Sequence, residues 1–263
     1  MIDTLIYSLV VGIAVGFSAG YLGSIMVLEK MALVGDAMSH VALPGLALGV
    51  LLGFNPLLGG FVFLFVSAVL IWHLSRVTKL SFETLVGAAF TLALAIGILL
   101  YGSNRLDALE SALFGDITNV DLTYAIISVI LSIAVVLMVR VIHKKIVLSL
   151  ISDELAKSKG INTGLTNLVY LLLVSVIVAI GIQVTGTLLV GFLVVTPAAA
   201  ARIISGNLSR YFTLSAIFGA ISAVVGIILS NSLHILPGPL IVISGVAIFV
   251  IVLTYRWRKK IMV

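Results

Sequence analysis

Apolar residues divide this chain into long, nearly unbroken hydrophobic runs separated by short polar segments. A helix needs about 20 mostly apolar residues to cross a hydrocarbon layer of about 30 Å, and the runs have that length. Transmembrane strands would instead give alternating segments of about 10 residues. The pattern predicts an all-α, polytopic transmembrane bundle of about nine spans: 4–28, 31–53, 56–75, 84–102, 122–139, 166–184, 187–204, 211–231 and 238–255.

The division between the sixth and seventh runs is the least marked. Residues 183–187 fit either a turn or a kink, and a kink would reduce the count to eight spans. The distribution of charge favours the turn. Basic residues cluster in 140–165 and in the carboxyl-terminal tail, with smaller groups at 76–79 and 202–210, whereas 103–121 is acidic.

Threading nine spans places all four basic segments on one side of the membrane and the acidic loop on the other. Because short basic loops stay on the cytoplasmic side, we expect the amino terminus outside and the carboxyl terminus inside. The segments between runs are too short for a soluble domain, and no internal repeat is evident. We therefore expect residues 1–263 to form one transmembrane domain.

Composition strengthens the membrane assignment and excludes other classes. The chain is 62% hydrophobic and 10% charged, with a mean hydropathy of +1.33, against about 45–50% and roughly 25% for soluble proteins. The net charge of +5 comes from small clusters rather than a basic face, which argues against nucleic-acid binding. There is no cysteine, so disulfides, thiol catalysis and cysteine-ligated metals are absent.

The second run carries the candidate chemistry. Asp36 is the only acidic residue well inside a predicted span, and an intramembrane carboxylate marks a functional pathway by default. His40 follows four residues later, so both side chains project from one helix face. Pro44 lacks an amide hydrogen and would free the carbonyl of His40. Carboxylate, imidazole and carbonyl ligands suit divalent Zn, Mn or Fe. Alternatively, Asp36 caps a helix or forms a buried polar pair with His40.

Seven short motifs along the chain together resemble the permeases of zinc/manganese ABC transporters, the membrane subunits of metal-ion importers. In chain order they are Gly35-Asp36-Ala37-Met38-Ser39-His40-Val41-Ala42-Leu43-Pro44-Gly45, Asn55-Pro56-Leu57-Leu58-Gly59, Glu83-Thr84 with Gly87, Phe114-Gly115-Asp116-Ile117, Asp153-Glu154-Leu155-Ala156 with Gly160, Thr196-Pro197-Ala198-Ala199-Ala200 and Pro237-Gly238-Pro239. The resemblance covers nearly the whole chain. It implies a plasma (inner) membrane protein that works as a pair of copies.

The resemblance also implies two further partners, a cytoplasmic ATP-binding subunit and an extracellular metal-binding protein. The chain has no G-x-x-x-x-G-K-[ST] loop, so we expect a transport subunit without its own ATP site rather than an enzyme. No permanently bound cofactor is expected. The cargo would be a divalent metal ion, zinc or manganese and possibly iron, bound in transit by Asp36 and His40.

Two other segments have an expected role. Ser152 is suited to cap a short helix, Asp153 and Glu154 suit its first turn, and Gly160 suits its end. With Leu155 and Ala156 as an apolar contact, this 150–161 segment resembles the coupling helix that docks on the ATPase; an interfacial linker is the alternative.

The second segment is the small-residue stretch at Thr196 and Pro197, which predicts a gate or, more simply, close helix packing, as does Pro44.

Three other functions remain open on the sequence. A permease for a metal chelate, such as a siderophore or cobalamin, would not need the Asp36–His40 pair. A secondary metal–proton exchanger would use Asp36 as its proton carrier and need no ATP. A membrane metalloenzyme would need a second buried carboxylate or another general base.

Overall fold

The computed structural model describes residues 2–78, 80–102, 106–115 and 120–261. In these ranges the chain is helical. The helices are α1 (Ile2–Leu28), α2 (Ala32–Val41), α3 (Leu43–Leu52), α4 (Pro56–Val77), α5 (Phe82–Tyr101), α6 (Leu106–Phe114), α7 (Leu122–Ile151), α8 (Asp153–Ser158), α9 (Thr163–Thr185), α10 (Val190–Ile204), α11 (Leu208–Leu233) and α12 (Pro237–Ile261).

Eight helical segments among the described residues are long and apolar enough to cross a membrane. One of them is α2 and α3 together, which follow each other with a break at Ala42. The seventh apolar run is the shorter helix α10, of 15 residues. The chain is thus a multi-pass membrane protein, and every predicted run is helical.

Polar side chains mark where several of these helices begin. Asn55 Oδ1 accepts the amide of Leu57 at 2.9 Å, and Asp121 Oδ1 accepts that of Tyr124 at 2.8 Å. Asn207 does the same for Arg210 at 2.8 Å. Such capping satisfies amides that have no partner inside the helix, so each apolar run starts at a defined residue.

The core of the bundle is α1 packed against α7, α10 and α11, with close contacts at its glycines. A Cβ on Gly16 would lie 2.5 Å from the carbonyl oxygen of Gly219, and a Cβ on Gly23 would collide with that of Val194. Ser215 donates to the Gly20 carbonyl at 2.5 Å. Small residues and hydroxyl groups are what membrane helices use to approach closely.

The bundle has two ends that differ in character. Helix α6, which belongs to the acidic segment, packs near the end of α9 and the beginning of α12. At the opposite end, α8 packs against α7 and α9. We refer to them as the α6 end and the α8 end. Asp116 and Ile117 of the acidic-loop motif lie outside the described residues.

The basic segment after the fifth apolar run is more ordered than the hydrophobic pattern indicates. Helix α7 continues to Ile151, well past the predicted end of that span at 139. Its last turns carry Arg140, Lys144 and Lys145, which are exposed and tolerated in a helix outside the hydrocarbon layer. The α8 end therefore projects as helix rather than as loop.

Candidate metal site

Asp36 and His40 lie on α2, one helical turn apart, as their spacing predicts. His40 is buried, with 8% of its surface exposed, whereas Asp36 is half-buried. Leu33, one turn before Asp36, is 81% exposed. The carboxylate thus lies at the edge of an open side of α2.

The helix is interrupted just after the pair, where Pro44 was expected to disturb it. Helix α2 ends at Val41, and the amide of Ala42 turns back to the carbonyl of Ser39 at 3.3 Å and is also directed at that of His40. Pro44 then falls in the first turn of α3, where its missing amide costs no hydrogen bond. Because of this break, the backbone just after His40 does not form the regular hydrogen bonds of an α-helix.

The opposite side of α2 is closed by α10 and the link before it. Ser39 Oγ lies 2.5 Å from the Thr187 carbonyl and 2.6 Å from the Asp36 carbonyl. A Cβ on Gly191 would lie 2.5 Å from Cα of Asp36. The link and α10 therefore follow α2 antiparallel, with Thr187 at the level of Ser39 and Gly191 at that of Asp36.

That link, Gly186–Leu189, is a true interruption between α9 and α10 rather than a kink. Gly186 has φ +76°, and a Cβ there would collide with the carbonyl of Leu113. The amides of Thr187 and Leu188 donate to the carbonyls of Ala112 at 3.0 Å and Leu113 at 3.1 Å. The link is therefore held between α6 on one side and the Asp36–His40 helix on the other.

Two buried polar atoms near this contact have no hydrogen-bond partner: Nδ1 of His40 and Oγ1 of Thr187. An unpaired buried polar group costs free energy, so such atoms are expected where a ligand or ion supplies the partner. Sequence reasoning missed Thr187, because a threonine in an apolar segment carries no signal. The Gly186 turn beside it was the only available indication.

The open side of α2 is flanked by α5. Phe90 of α5 packs edge-on against the His40 ring, with centroids 5.3 Å apart. On the same helix, Ala88 and Thr91 are exposed, and a Cβ on Gly87 would meet no atom within 4 Å. Small and polar side chains facing outward from a membrane helix are typical of a helix–helix contact.

The potential metal ligands of one chain are few. Among the described residues, no group of three or more His, Cys, Asp or Glu side chains is arranged to hold a metal ion. A metal ion held by Asp36 and His40 would have two side-chain ligands, so carbonyls, hydroxyls, water or a second chain would have to provide the others. Oxygen-rich sets with one imidazole suit Mn²⁺, and sets richer in imidazole suit Zn²⁺.

The capped helix expected in the 150–161 segment is present as α8. Ser152 Oγ accepts the Leu155 amide at 3.2 Å, and Gly160 ends the helix with φ +74°. Asp153 pairs with Lys157 at 2.6 Å, and that hydrogen bond lowers the pKa of the carboxyl group. Only one of the two apolar side chains faces outward: Leu155 is 47% exposed, whereas Ala156 is fully buried. Ala156 therefore holds α8 on the bundle.

A cavity of about 440 Å³ separates α8 from the link between α1 and α2. Its wall includes Asp153 on one side and Glu29 on the other. Glu29 lies outside the spans, and burial raises the pKa of its carboxyl group to about 7. Removal from water disfavours the ionised form, and no described cation is within ion-pairing distance to offset this cost.

Thr196 and Pro197 lie on the side of α10 away from Asp36. Pro197 is buried inside the helix, and a Cβ on Gly245 of α12 would touch the Thr196 methyl group at 3.9 Å. Both residues also border a small space shared with Ser222 of α11. Their surroundings are thus those of helix packing.

Known proteins resemble this chain over nearly its whole length. A model of the ABC 3 transport family matches residues 1–256. The "Manganese transport system membrane protein MntC" of Listeria innocua is 29% identical over 257 residues, covering 97% of this chain and 91% of the relative. The "High-affinity zinc uptake system membrane protein ZnuB" of Haemophilus influenzae is 30% identical over 264 residues, covering 98% and 100%.

A solved structure has the same arrangement of helices. The chain matches PsaBC from Streptococcus pneumoniae in complex with Fab with a TM-score of 0.82 and 29% identity. The match covers 96% of this chain and 95% of the other.

Proposed function

Because the chain belongs to the ABC 3 transport family, we propose that it is the membrane permease subunit of an ATP-driven importer of divalent metal ions, manganese or zinc. The observation that carries this proposal is the Asp36–His40 pair on a membrane-embedded helix of a chain that matches the family over nearly its full length. The transmembrane helical bundle expected from the apolar pattern, and the permease-like fold that the resemblance implies, are confirmed by the described helices and by the PsaBC match.

Asp36 and His40 are the transient cargo ligands in this proposal. A carboxylate and a neutral imidazole are both ligands of Mn²⁺ and Zn²⁺. His40 has a buried nitrogen without a partner, which a metal ion would satisfy. Because both ligands must be deprotonated, binding should weaken at low pH.

A second copy of the chain completes the path. The half-buried Asp36 carboxylate cannot face lipid without a large cost. Leu33, one turn before it, is exposed, and Gly87 on the flanking helix α5 leaves space open. A two-fold axis in front of α2 and α5 would remove this side from lipid and present each ligand twice. The two copies of the chain then enclose a polar route between identical walls.

The energy comes from a partner in this proposal. A separate cytoplasmic ATP-binding subunit docks on α8 through the exposed Glu154 and Leu155. Asp153 and Gly160 fix the ends of that helix, and the buried Ala156 packs it against the bundle. The cavity that Glu29 also lines leaves α8 room to move relative to the link that leads into α2. Residues 1–263 act here as one permease domain in the plasma (inner) membrane, with 150–161 as the coupling segment.

The α8 end is cytoplasmic in this arrangement, so the amino terminus is outside and the carboxyl terminus inside. The α6 end then faces an extracellular metal-binding protein that delivers the ion. A permease for a metal chelate fits less well, because the relatives named above are manganese and zinc proteins and the site offers ligands for a bare ion.

Reconstitution tests the proposal. The chain, co-expressed with the ATPase subunit encoded for it, should copurify with that subunit and take up ⁵⁴Mn²⁺ or ⁶⁵Zn²⁺ into proteoliposomes only with ATP. Asp36→Asn and His40→Ala should abolish uptake and leave copurification intact. Uptake that continues without ATP would instead support a metal–proton exchanger, and normal uptake by both variants would refute the site.

A further inference from the structure

A groove on the outside of the bundle at the α8 end is unrelated to the cargo path. It has a volume of about 710 Å³ and lies between α1, α7 and α11. Three nitrogen-bearing side chains of α7 line it, namely Arg140, His143 and Lys144. Ser209 and Thr213 of α11 add two hydroxyl groups from the opposite wall. The part of the groove nearest the α8 end is therefore basic and rich in hydrogen-bond donors.

The positive charge of this groove has no acidic partner in the described part of the chain. Among the described residues, the only ion pair is Asp153–Lys157, so Arg140 and Lys144 have no carboxylate partner. No acidic residue lines the groove. Uncompensated cations at the end of a membrane span attract anionic groups, and basic pockets between membrane helices bind lipid headgroups.

The floor and walls of the groove are aromatic. The Phe212 ring packs between Tyr21, at a centroid distance of 5.2 Å, and His143, at 5.6 Å. Because Phe212 is almost fully buried, it holds both neighbours in place. Amphipathic aromatic side chains at this depth are typical of the boundary between headgroups and acyl chains.

Below the basic part, the groove continues into an apolar one. A second depression of about 230 Å³ lies between α1 and α7, and it shares Phe17 and Val136 with the first. Its other lining residues are Ile13, Ala14, Ser132, Ile133 and Leu137. From Lys144 to Ser132 the two depressions extend along about 18 Å of α7, at 1.5 Å per residue. Basic at one end and apolar at the other, the track matches an amphiphile.

We propose that this groove binds one anionic phospholipid, with its phosphate at Arg140 and Lys144 and an acyl chain in the depression beside Ala14. Charge complementarity selects an anionic headgroup, and the apolar continuation selects a lipid over a free phosphate. A bound lipid would brace α7 against α1 and α11. Because α7 leads directly into α8, the lipid would support the segment assigned to ATPase coupling.

Native mass spectrometry of the full chain in detergent, titrated with phosphatidylglycerol, tests this site. The double variant Arg140→Gln/Lys144→Gln should weaken phosphatidylglycerol binding about thirtyfold, since each basic side chain near an anionic surface contributes roughly fivefold. The matched control Arg256→Gln/Arg258→Gln removes the same charge from exposed positions of α12 and should change binding little. Equal losses in both pairs, or no loss in either, would overturn the proposal.

Two further arms separate a lipid from a phosphate ion. Ala14→Phe fills the apolar depression and should also weaken phosphatidylglycerol binding, while its melting temperature without added lipid stays within a few degrees of the parent. Phosphatidylcholine should bind the parent more weakly than phosphatidylglycerol, and inorganic phosphate should not displace the lipid. Unchanged binding by Ala14→Phe, or displacement by millimolar phosphate, would show that no acyl chain occupies the groove.

Discussion

Glycine residues serve opposite purposes in two regions of this bundle. On α1, Gly16 and Gly23 lie backbone to backbone against α11 and α10, so that a single added Cβ would collide with a carbonyl oxygen. On α5, a Cβ on Gly87 would meet nothing. The first region is a finished interface within one chain. The second has the same small-residue character but no partner.

Helix α2, which carries the proposed cargo ligands, lies between these two regions. Its back is packed by Gly191 of α10 and bonded through Ser39, whereas its front, at Leu33 and Asp36, is open. A rigid back and an incomplete front are what a transport site needs, because the ligands stay in position while the second wall comes from a moving partner. The predictions below test this difference.

The largest effect should come from filling the finished interface. Gly23→Val places a side chain against the Val194 carbonyl, and overpacking of this kind should prevent recovery of monodisperse protein. Gly87→Val adds the same atoms where the chain itself leaves space open, so this variant should still fold and be recovered, although it crowds the proposed contact with a second copy. Size-exclusion chromatography in detergent distinguishes them; comparable loss in both variants would contradict the contrast.

A smaller effect, on metal binding, is expected where Thr187 contacts the packed side of α2. Thr187→Val keeps the shape but removes the unpartnered hydroxyl, and we expect Mn²⁺ binding to weaken about tenfold, with less effect on Zn²⁺, because oxygen ligands favour manganese. Thr187→Ser should restore it.

Thr185→Val is the matched control for that change. Thr185 is equally buried two residues away, but its hydroxyl already donates to the Gly181 carbonyl at 3.2 Å. Isothermal titration of each variant with both ions gives the comparison. Equal losses for Mn²⁺ and Zn²⁺, or equal losses in both threonine variants, would reduce Thr187 to a packing residue.

The last prediction concerns Glu29, in the link between α1 and α2. Burial raises the pKa of Glu29 from 4.5 to about 7, so the folded state favours the protonated form. Stability should therefore be highest below pH 4.5 and fall as the pH rises to about 7, where the carboxyl group ionises. Glu29→Gln should remove this slope. Thermal unfolding of both proteins between pH 4.5 and 8 measures it, and parallel curves would contradict the assignment.

The helices themselves were more predictable from the sequence than the contacts between them. Long apolar runs dictate membrane helices, and a carboxylate four residues before a histidine dictates a shared face, so both the helices and the Asp36–His40 pair follow from local pattern. The break before α10 also followed from the sequence, because the distribution of basic and acidic segments required a turn there. The seat of Ala156 and the contact of Thr187 with Ser39 depend on neighbours distant in sequence. Nothing local distinguishes Gly87 from Gly16, since only tertiary packing decides which glycine finds a partner.

Cross-linking between two copies tests the central claim, that the open face of α2 and α5 closes on a second chain around Asp36. The chain has no cysteine, so single substitutions give unambiguous reporters. Gly87→Cys and Leu33→Cys should form oxidant-dependent dimers in native membranes, whereas Val66→Cys on the exposed side of α4 should remain monomeric. Dimers through Val66→Cys, with none through Gly87→Cys or Leu33→Cys, would contradict the account.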